Sequence, residues 1–300
     1  MTAPVQPIHL SVVAPMHNEE GNARPLYEAI RDSMDRLGRP YEIIFVNDTS
    51  SDGTLNVMKE IANRDGRFHY VDLESNVGEN WALLAGVSKA SGEIIVTVDG
   101  DYQNDPAYIP ALLERLAEGY RVVSGWRRNR VGSYWDRRLP SQVANALIRL
   151  VSGVAVHDCG CGLKAYRREV LEGKYVPKGF MNRFSPVVFG VRAAEFSEVE
   201  ILDRERKSGS SHYGLGRVFE VIRDLWTIPF AVRGVEDWLP RFRRLQWLLS
   251  AAGVALAILG HGWWAIATFI LALASRSNAR NLARFVEART NPPFRVKEFR

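Results

Sequence analysis

Hydrophobic residues in the first hundred positions alternate between two periods, and this alternation limits the folds open to the chain. Segments with helical spacing, such as the one that places Leu26, Ile30 and Met34 on one face, lie between short apolar runs rich in β-branched residues. Runs that alternate with helices in this way pair as parallel strands, and helices cover both faces of the sheet. We therefore predict an α/β fold with a mostly parallel sheet. The predicted strands are HLSVVAPM (9–16), YEIIFVND (41–48), FHYVDLE (68–74) and GEIIVTVD (92–99).

Polar segments follow three of these predicted strands. They read APMHNEE, VNDTSSDGT and VDGDYQND, and two of them are rich in acidic residues. In open parallel sheets, ligands bind beyond the carboxyl ends of the strands. The sequence therefore predicts a ligand site at this edge of the sheet.

Asp99 and Asp101 stand one residue apart after the fourth predicted strand. Two ionised carboxylates this close repel each other, so a bound cation would stabilise the pair. A hard divalent ion takes carboxylate oxygens and leaves coordination positions for a diphosphate, whose departure it then assists. Because D-x-D also occurs by chance, a solvated turn that caps the next helix is the alternative interpretation.

The carboxyl-terminal part of the chain differs in composition from the rest. Residues 245–275 contain no Asp, Glu, Lys or Arg, and basic segments flank them on both sides. Gly-His-Gly interrupts the apolar run, and basic flanks favour the cytoplasmic side, so we predict a helical membrane hairpin with both ends there. Each arm has about 12–16 residues against the ~20 of a full span, so full crossing and re-entry both stay open. The alternative is a buried pair of soluble helices.

Charge and cysteine usage indicate the compartment and the partners. Lys and Arg number 39 against 34 Asp and Glu, and the basic clusters lie beside apolar runs, which favours anionic lipid over nucleic acid. Cys159 and Cys161 are too close for an ordinary disulfide framework, and two ligands do not make a zinc site, so we interpret them as packed thiols in a reducing compartment. The first ten residues show no signal peptide.

Five motifs occur in a fixed order over about residues 9–225, and together they resemble one family. They are SVVAPMHNEEGN, VNDTSSDGT, GEIIVTVDGDYQNDP, HDCGCGLKAYRREV and RKSGSSHYGLGR. This set is similar to family 2 glycosyltransferases of the polyprenyl-phosphate branch, which includes dolichol-phosphate mannose synthase-like and undecaprenyl-phosphate enzymes. The resemblance implies a GT-A, Rossmann-like domain that binds a nucleotide-sugar. It also implies inverting, metal-dependent transfer of the sugar from a UDP- or GDP-linked donor to undecaprenyl or dolichyl phosphate, for cell-envelope glycan or lipid modification.

The resemblance also implies roles for individual residues. The donor-binding residues would be Pro15, Asn18, Glu19, Asp48 and Asp99. Mg²⁺ or Mn²⁺ would be held by Asp99, Asp101 and Gln103. The acceptor phosphate would contact Arg137, Ser141 and Arg206. The catalytic residues would be Asp101, Arg127 and Asp158, the last of which would orient an arginine or the sugar hydroxyls.

Elementary chemistry agrees with this assignment. A phosphomonoester has a second pKa near ~6, so the acceptor is already largely dianionic and needs no strong base. The site instead needs two centres of positive charge that hold donor and acceptor phosphates in line. A metal ion and bidentate arginines provide such centres.

Three positions depart from the family pattern. The family usually has an acid at Asn47, Lys or Gln near Glu79, and Lys at His212. These departures leave the donor open, and they are the only support for the alternative of a membrane-tethered nucleotide-sugar-binding protein that has lost transferase activity. A processive polysaccharide synthase is disfavoured because Q-x-x-R-W is absent, and a Rossmann dehydrogenase because G-x-G-x-x-G is absent. A haloacid-dehalogenase-like phosphatase is disfavoured because it would carry D-x-D on its first strand, whereas the first strand here ends in PMHNEE.

The chain is accordingly expected to divide into four parts. These are a catalytic domain (1–215), juxtamembrane amphipathic helices (216–244), a membrane hairpin (245–276) and a basic cytoplasmic tail (277–300). The catalytic domain would lie on the cytoplasmic side of the inner membrane. Members of this branch often form multimers, and the sequence leaves homo-oligomerisation open.

Overall fold

The computed structural model describes most of the chain in eight stretches. They cover residues 9–128, 146, 149–150, 153–173, 176–177, 186–202 and 216–300 without 293, with the backbone alone given for 216–222 and 225. The strands are β1 (Leu10–Met16), β2 (Tyr41–Asn47), β3 (Phe68–Leu73), β4 (Ile94–Thr97), β5 (Val122–Arg127), β6 (Lys164–Arg167), β7 (Phe196–Ile201) and β8 (Val296–Phe299). The helices are α1 (Glu20–Leu37), α2 (Thr54–Ala62), α3 (Glu79–Lys89), α4 (Ile109–Ala117), α5 (Arg168–Leu171), α6 (Gly216–Ile258) and α7 (Gly262–Thr290).

These strands form one mixed sheet in the order β7-β5-β6-β4-β1-β2-β3-β8. The central strands β4, β1, β2 and β3 are all parallel, as are β5 and β7 at one side. Only β6 and β8 run antiparallel to their neighbours among the described strands. The predicted α/β fold with a mostly parallel sheet is confirmed.

The core of the sheet follows from its apolar strands. Every residue of β2 is buried, as expected for a central strand with helices on both faces. α1 packs Leu26, Ile30 and Met34 against the sheet and ends at Gly38 in a left-handed conformation, φ 62°. α3 comes unusually close on the other face, because a Cβ at Gly86 would lie 2.4 Å from the Val13 side chain. The packing thus fixes the ends of β1 and β2 relative to the helices that follow them.

The last residues of the chain return to the sheet. Residues 277–300, predicted as a basic cytoplasmic tail, lie in α7 up to Thr290 and in β8 from Val296 to Phe299. β8 pairs antiparallel with β3, and the Tyr70 hydroxyl donates a hydrogen bond to Glu298, 228 residues later. Two strands so far apart in sequence therefore form one edge of the sheet.

The chain divides into two compact units. The sheet unit contains β1 to β8, and the helical unit contains Phe219–Pro292 with a short preceding segment. Within the helical unit, α6 kinks at Gly234, where φ is 126°, and α6 packs on α7 through Val235, Leu282 and Phe285. The Ser275 hydroxyl donates to the Phe242 carbonyl oxygen over 2.9 Å, which adds a polar contact between the two helices.

The turn between α6 and α7 carries exposed apolar side chains. Ile258 and Trp263 are 81% and 87% exposed, and Trp247 and Trp264 are also largely exposed. Among the described residues, no helix combines the length and the apolar character that crossing a bilayer requires.

Candidate active site

The carboxyl ends of β1, β2, β4 and β5 meet at one edge of the sheet, where β6 begins. Asn18, Asp48, Asp99 and Arg127 follow or end these strands, and Asp158 lies in the segment before β6. The predicted ligand edge therefore brings these five candidate residues together. Pro15 lies just inside the same edge, in β1, opposite Val46.

The loops after β1 and β2 are tied to each other by hydrogen bonds. The Asn18 amide N–H donates to Ser50 Oγ over 3.0 Å, and Asn18 Oδ1 accepts from the Ser51 N–H over 2.7 Å. The Glu19 N–H donates to Thr54 Oγ1 over 2.9 Å. Asn18 and Glu19, both predicted to bind the donor, thus help to hold the loops after β1 and β2 together.

Asp48 is buried and holds the loop before α3 in place through hydrogen bonds. Its two carboxylate oxygens accept from the Val77 and Gly78 N–H groups over 2.7 and 2.8 Å. Its carbonyl oxygen accepts from Asn76 Nδ2 over 3.1 Å. Asp48, predicted to bind the donor, therefore fixes the main chain of the loop before α3.

A second buried acid, Asp72, was not found by sequence reasoning. Asn47 Nδ2 donates to Asp72 Oδ1 over 2.7 Å, and Lys297 of β8 lies 3.3 Å from Asp72 Oδ2. An aspartate at position 47, as the family usually has, would place two carboxylates against each other here. The neutral amide of Asn47 is therefore matched to the buried Asp72.

Asp99 and Asp101, which we call the acid pair, lie half-buried just after β4. Asp101 Oδ1 accepts from the Gln103 N–H over 3.2 Å. The Asp99 carboxylate rests on Gly162, since a Cβ on that glycine would lie 1.8 Å from Asp99 Oδ1. Thr97 Oγ1 donates to the Gly162 carbonyl oxygen over 2.8 Å and holds this segment against β4.

The acid pair fits a hard divalent ion. The described residues contain no group of three or more His, Cys, Asp or Glu side chains that could hold a metal on their own. Asp99 and Asp101 offer carboxylate oxygens at a half-exposed strand end, and Gln103, also half-buried, adds an amide oxygen. Mg²⁺ and Mn²⁺ prefer such oxygens, and a diphosphate would complete their coordination.

Arg127 and Asp158 form a buried ion pair. Arg127 Nε and Nη2 donate to the two Asp158 oxygens over 2.7 and 3.2 Å, and both side chains are almost wholly buried. The Gly160 N–H also donates to Asp158 Oδ1, over 3.0 Å. Bidentate pairing fixes the guanidinium plane, so Asp158 orients Arg127.

Beside this pair lies a small cavity that sequence reasoning did not find. His157 stacks on Trp126 with ring centroids 4.5 Å apart, and its Nδ1 lies 2.6 Å from Glu198 Oε2. Glu198 also accepts from the His157 and Asp158 N–H groups. The cavity measures about 250 Å³ and is lined by Trp126, His157, Glu198 and residues of β7.

Lys164 was also missed, although it is buried beneath the same edge. Its ammonium donates to the Cys161 carbonyl oxygen. Burial lowers the pKa of Lys164, and the neighbouring Cys161, Asp99 and Asp158 oppose this shift. Burial also raises the pKa of the Cys161 thiol to about 12, in keeping with a packed, unreactive thiol.

The acceptor-phosphate residues predicted from the sequence, Arg137, Ser141 and Arg206, lie outside the described residues, as does His212.

Comparison with known proteins identifies the family. Residues 11–173, more than half of the chain, match the description "Glycosyl transferase family 2". The chain belongs to glycosyl transferase family 2. The predicted resemblance is thereby confirmed, and so is its polyprenyl-phosphate branch, since the relatives described next carry names of that branch.

Two relatives within this glycosyltransferase family are named for polyprenyl-phosphate products or acceptors. Dodecaprenyl-phosphate galacturonate synthase of Rhizobium johnstonii is 38% identical over 77% of this chain and 69% of its own length. Undecaprenyl-phosphate 4-deoxy-4-formamido-L-arabinose transferase of Pseudomonas paraeruginosa is 38% identical over 74% of this chain and 65% of its own length. The matched region spans about two thirds of each relative.

A solved structure supports the fold alone. Glucosyl-3-phosphoglycerate synthase from Mycobacterium tuberculosis, in complex with Mn²⁺, UDP and glucosyl-3-phosphoglycerate, shares 21% identity and a TM-score of 0.52. The match covers 73% of this chain and 78% of that one. The GT-A, Rossmann-like fold of the sheet unit is thus confirmed.

Proposed function

We propose that this glycosyltransferase moves a sugar from a nucleotide-sugar to the phosphate of a polyprenyl phosphate. The observation that carries the proposal is the meeting of an acid pair, Asp99 and Asp101, with the buried Arg127–Asp158 pair at one strand edge. A transfer between two phosphates needs positive charge on both sides of the sugar, and this edge offers a metal site beside a fixed guanidinium. The two relatives named for polyprenyl phosphates support the acceptor class.

On the donor side, the acid pair holds Mg²⁺ or Mn²⁺, with Gln103 as a further ligand. A divalent ion held there would supply positive charge that stabilises the departing nucleoside diphosphate. Pro15, Asn18, Glu19 and Asp48 shape the pocket for the nucleoside. The tied loops after β1 and β2 keep this pocket preformed.

On the acceptor side, arginines receive the lipid phosphate. Arg127 is held in one orientation by Asp158, which removes the entropy cost of ordering it during the reaction. Arg137, Ser141 and Arg206 are proposed as the other phosphate contacts. The acceptor is largely dianionic at neutral pH, so none of these residues has to act as a base.

We further propose that the α6–α7 turn inserts into the inner membrane from the cytoplasmic side. Its exposed tryptophan and aliphatic side chains would be poorly solvated in water. Arginines flank this apolar stretch at 241, 243, 244, 276 and 280, where they can meet anionic headgroups. This arrangement would bring the sheet unit to its lipid acceptor.

A turnover screen tests the transferase proposal. Purified protein is mixed with undecaprenyl phosphate, Mg²⁺ or Mn²⁺, and a panel of UDP- and GDP-sugars, and released nucleoside diphosphate is measured with and without chelator. We expect release that depends on the lipid, stops with chelator and occurs with one donor. Nucleotide binding without release from any donor would favour the alternative of a binding protein that has lost transferase activity.

A matched pair of variants sharpens the screen. Asp101→Asn should lower turnover by about 10²-fold or more because it weakens the metal site. Asp105→Asn removes a charge from the same loop, but Asp105 caps the short helix at Pro106–Tyr108 and has no proposed metal contact. Its turnover should stay near that of the wild type, and equal losses in both variants would contradict the metal assignment.

A further inference from the structure

A buried lysine lies beside the acid pair, and the proposed chemistry leaves it without a role. Lys164 begins β6 and is only 1% exposed. Its ammonium donates to the Cys161 carbonyl oxygen. A neutral carbonyl does not balance a buried positive charge, which is costly unless a negative group lies near.

Strand pairing places that negative group. β4 and β6 are antiparallel, with Thr97 opposite Lys164, so these two side chains share a face of the sheet. Asp99 lies two residues after Thr97, and its carboxylate lies against Gly162, two residues before Lys164. The Asp99 carboxylate therefore lies close to the start of β6, where Lys164 stands.

Two other charged residues of this region pair with each other. Arg127 and Asp158 neutralise each other through a bidentate pair. Asp99 is the acid that lies against the start of β6, where it can balance the charge of Lys164. The pKa of Lys164 agrees with this arrangement, because burial lowers it while Asp99 acts in the opposite direction.

We propose that Lys164 is a positioning residue that sets the order of binding at the donor site. The ammonium group of Lys164 near Asp99 would repel a metal cation from the empty site and attract the diphosphate of the donor. Mn²⁺ or Mg²⁺ then binds well only together with the nucleotide. This inference rests on the proposed function, since it assumes that the acid pair receives a metal–diphosphate complex.

The proposal predicts that removing the charge of Lys164 changes the affinities for Mn²⁺ and for UDP in opposite directions. Mn²⁺ binding without nucleotide is measured by electron paramagnetic resonance, and UDP binding with chelator by calorimetry. Relative to the wild type, Lys164→Met should bind Mn²⁺ about three- to tenfold more tightly and UDP more weakly by a similar factor. A purely structural defect would weaken both ligands.

Controls separate charge from packing. Lys164→Arg keeps the charge and should behave like the wild type. Lys59→Met makes the same change of net charge at a surface lysine that pairs with Glu298, and it should leave both affinities unchanged. If Lys164→Met does not fold, Lys164→Gln carries the test, because its amide still donates to the Cys161 carbonyl oxygen without carrying charge.

Gly162→Ala gives an independent test of the geometry. The added methyl would displace the Asp99 carboxylate without changing any charge. We expect weaker Mn²⁺ binding and unchanged UDP binding in chelator. Tighter Mn²⁺ binding, or Mn²⁺ binding equal to the wild type, would contradict the placement of Asp99.

The outcomes distinguish the two proposals. Wild-type binding of Mn²⁺ and UDP, with unshifted affinities in the neutral Lys164 variants, would overturn the role of Lys164 alone. Failure of the wild type to bind UDP or UDP–Mn²⁺ at all would overturn the proposed function and this inference with it.

Discussion

Arg127 and Arg128 are neighbours in sequence, and their surroundings differ completely. The Arg127 side chain is 3% exposed and pairs with the buried Asp158, whereas Arg128 is 67% exposed and pairs with an exposed Glu200. Sequence reasoning marked Arg127 and Asp158 separately, but their contact joins residues 31 positions apart and needs the folded sheet. The contribution of each of these two ion pairs to the stability of the protein therefore depends on how deeply the pair is buried.

Asp158→Ala and Glu200→Ala should differ sharply in stability. Removing Asp158 leaves a buried guanidinium without its counter-charge, at a cost of about 3–5 kcal/mol in the free energy of unfolding. Removing Glu200 breaks a solvated pair, at a cost of at most about 1 kcal/mol. Urea unfolding followed by circular dichroism measures both, and similar losses would contradict the buried pair.

The two cysteines should react differently with a thiol reagent. Cys161 is fully buried and its pKa is raised to about 12, so its thiol stays protonated and shielded at pH 8. Cys159 is half-buried. In the native protein, a chromogenic disulfide reagent should modify Cys159 first, and Cys161 only after denaturant is added. Fast modification of both thiols in the native state would be the contrary result.

At the scale of elements, the strands with the strongest apolar runs were predictable. β1 to β4 and the helices between them match the predicted alternation, because each strand is a buried run between helical segments. β8 was not predictable in this way, since Val296–Phe299 places two adjacent charged residues between two apolar ones and pairs with β3, more than 200 residues earlier. Asp48, Asp99 and Asp101 lie at the predicted ligand edge, after β2 and β4. Asp72, Glu198 and Lys164 were missed because their roles depend on contacts with residues distant in sequence.

Lys297→Met should show that β8 supports the pocket side of the sheet. Lys297 pairs with the buried Asp72, which also accepts from Asn47, so losing the cation leaves a buried carboxylate less well balanced. We expect a loss of about 1–2 kcal/mol in the free energy of unfolding, moderated because Lys297 itself is largely exposed.

Lys59→Met is the matched control for this prediction. Lys59 pairs with Glu298 of the same strand, but both side chains of that pair are exposed. Its replacement should leave the urea midpoint unchanged. A loss as large as that of Lys297→Met would mean that β8 is stabilised by general charge and not by its contact with Asp72.

At the scale of the whole molecule, the sheet unit and the helical unit have different surfaces. The sheet unit buries its apolar residues in one core, whereas the α6–α7 turn leaves tryptophan and isoleucine side chains exposed. Apolar surface of this kind marks a contact with lipid or protein. The basic flanks of the turn favour a lipid surface that carries negative charge.

Vesicle flotation tests this contact. The wild type should float with vesicles of phosphatidylethanolamine and phosphatidylglycerol, and the joint change Trp263→Ser and Trp264→Ser should reduce the floated fraction several-fold, since indole side chains favour the interface. Leu202→Ser, at an exposed leucine of the sheet unit, should have no effect. Flotation of the tryptophan variant equal to that of the wild type would contradict insertion through the turn.

The position of β8 after α7 has a practical consequence for dissecting the protein. The main segment of the helical unit, Phe219–Pro292, is an insertion between β7 and β8, so it is joined to the sheet unit at both of its ends. A protease that cuts once within α6 or α7 would leave both fragments together, because β8 would still be paired with β3. A version of the protein without the helical unit therefore needs an internal deletion that rejoins β8 to the sheet unit, because ending the chain before α6 would remove the edge strand of the sheet.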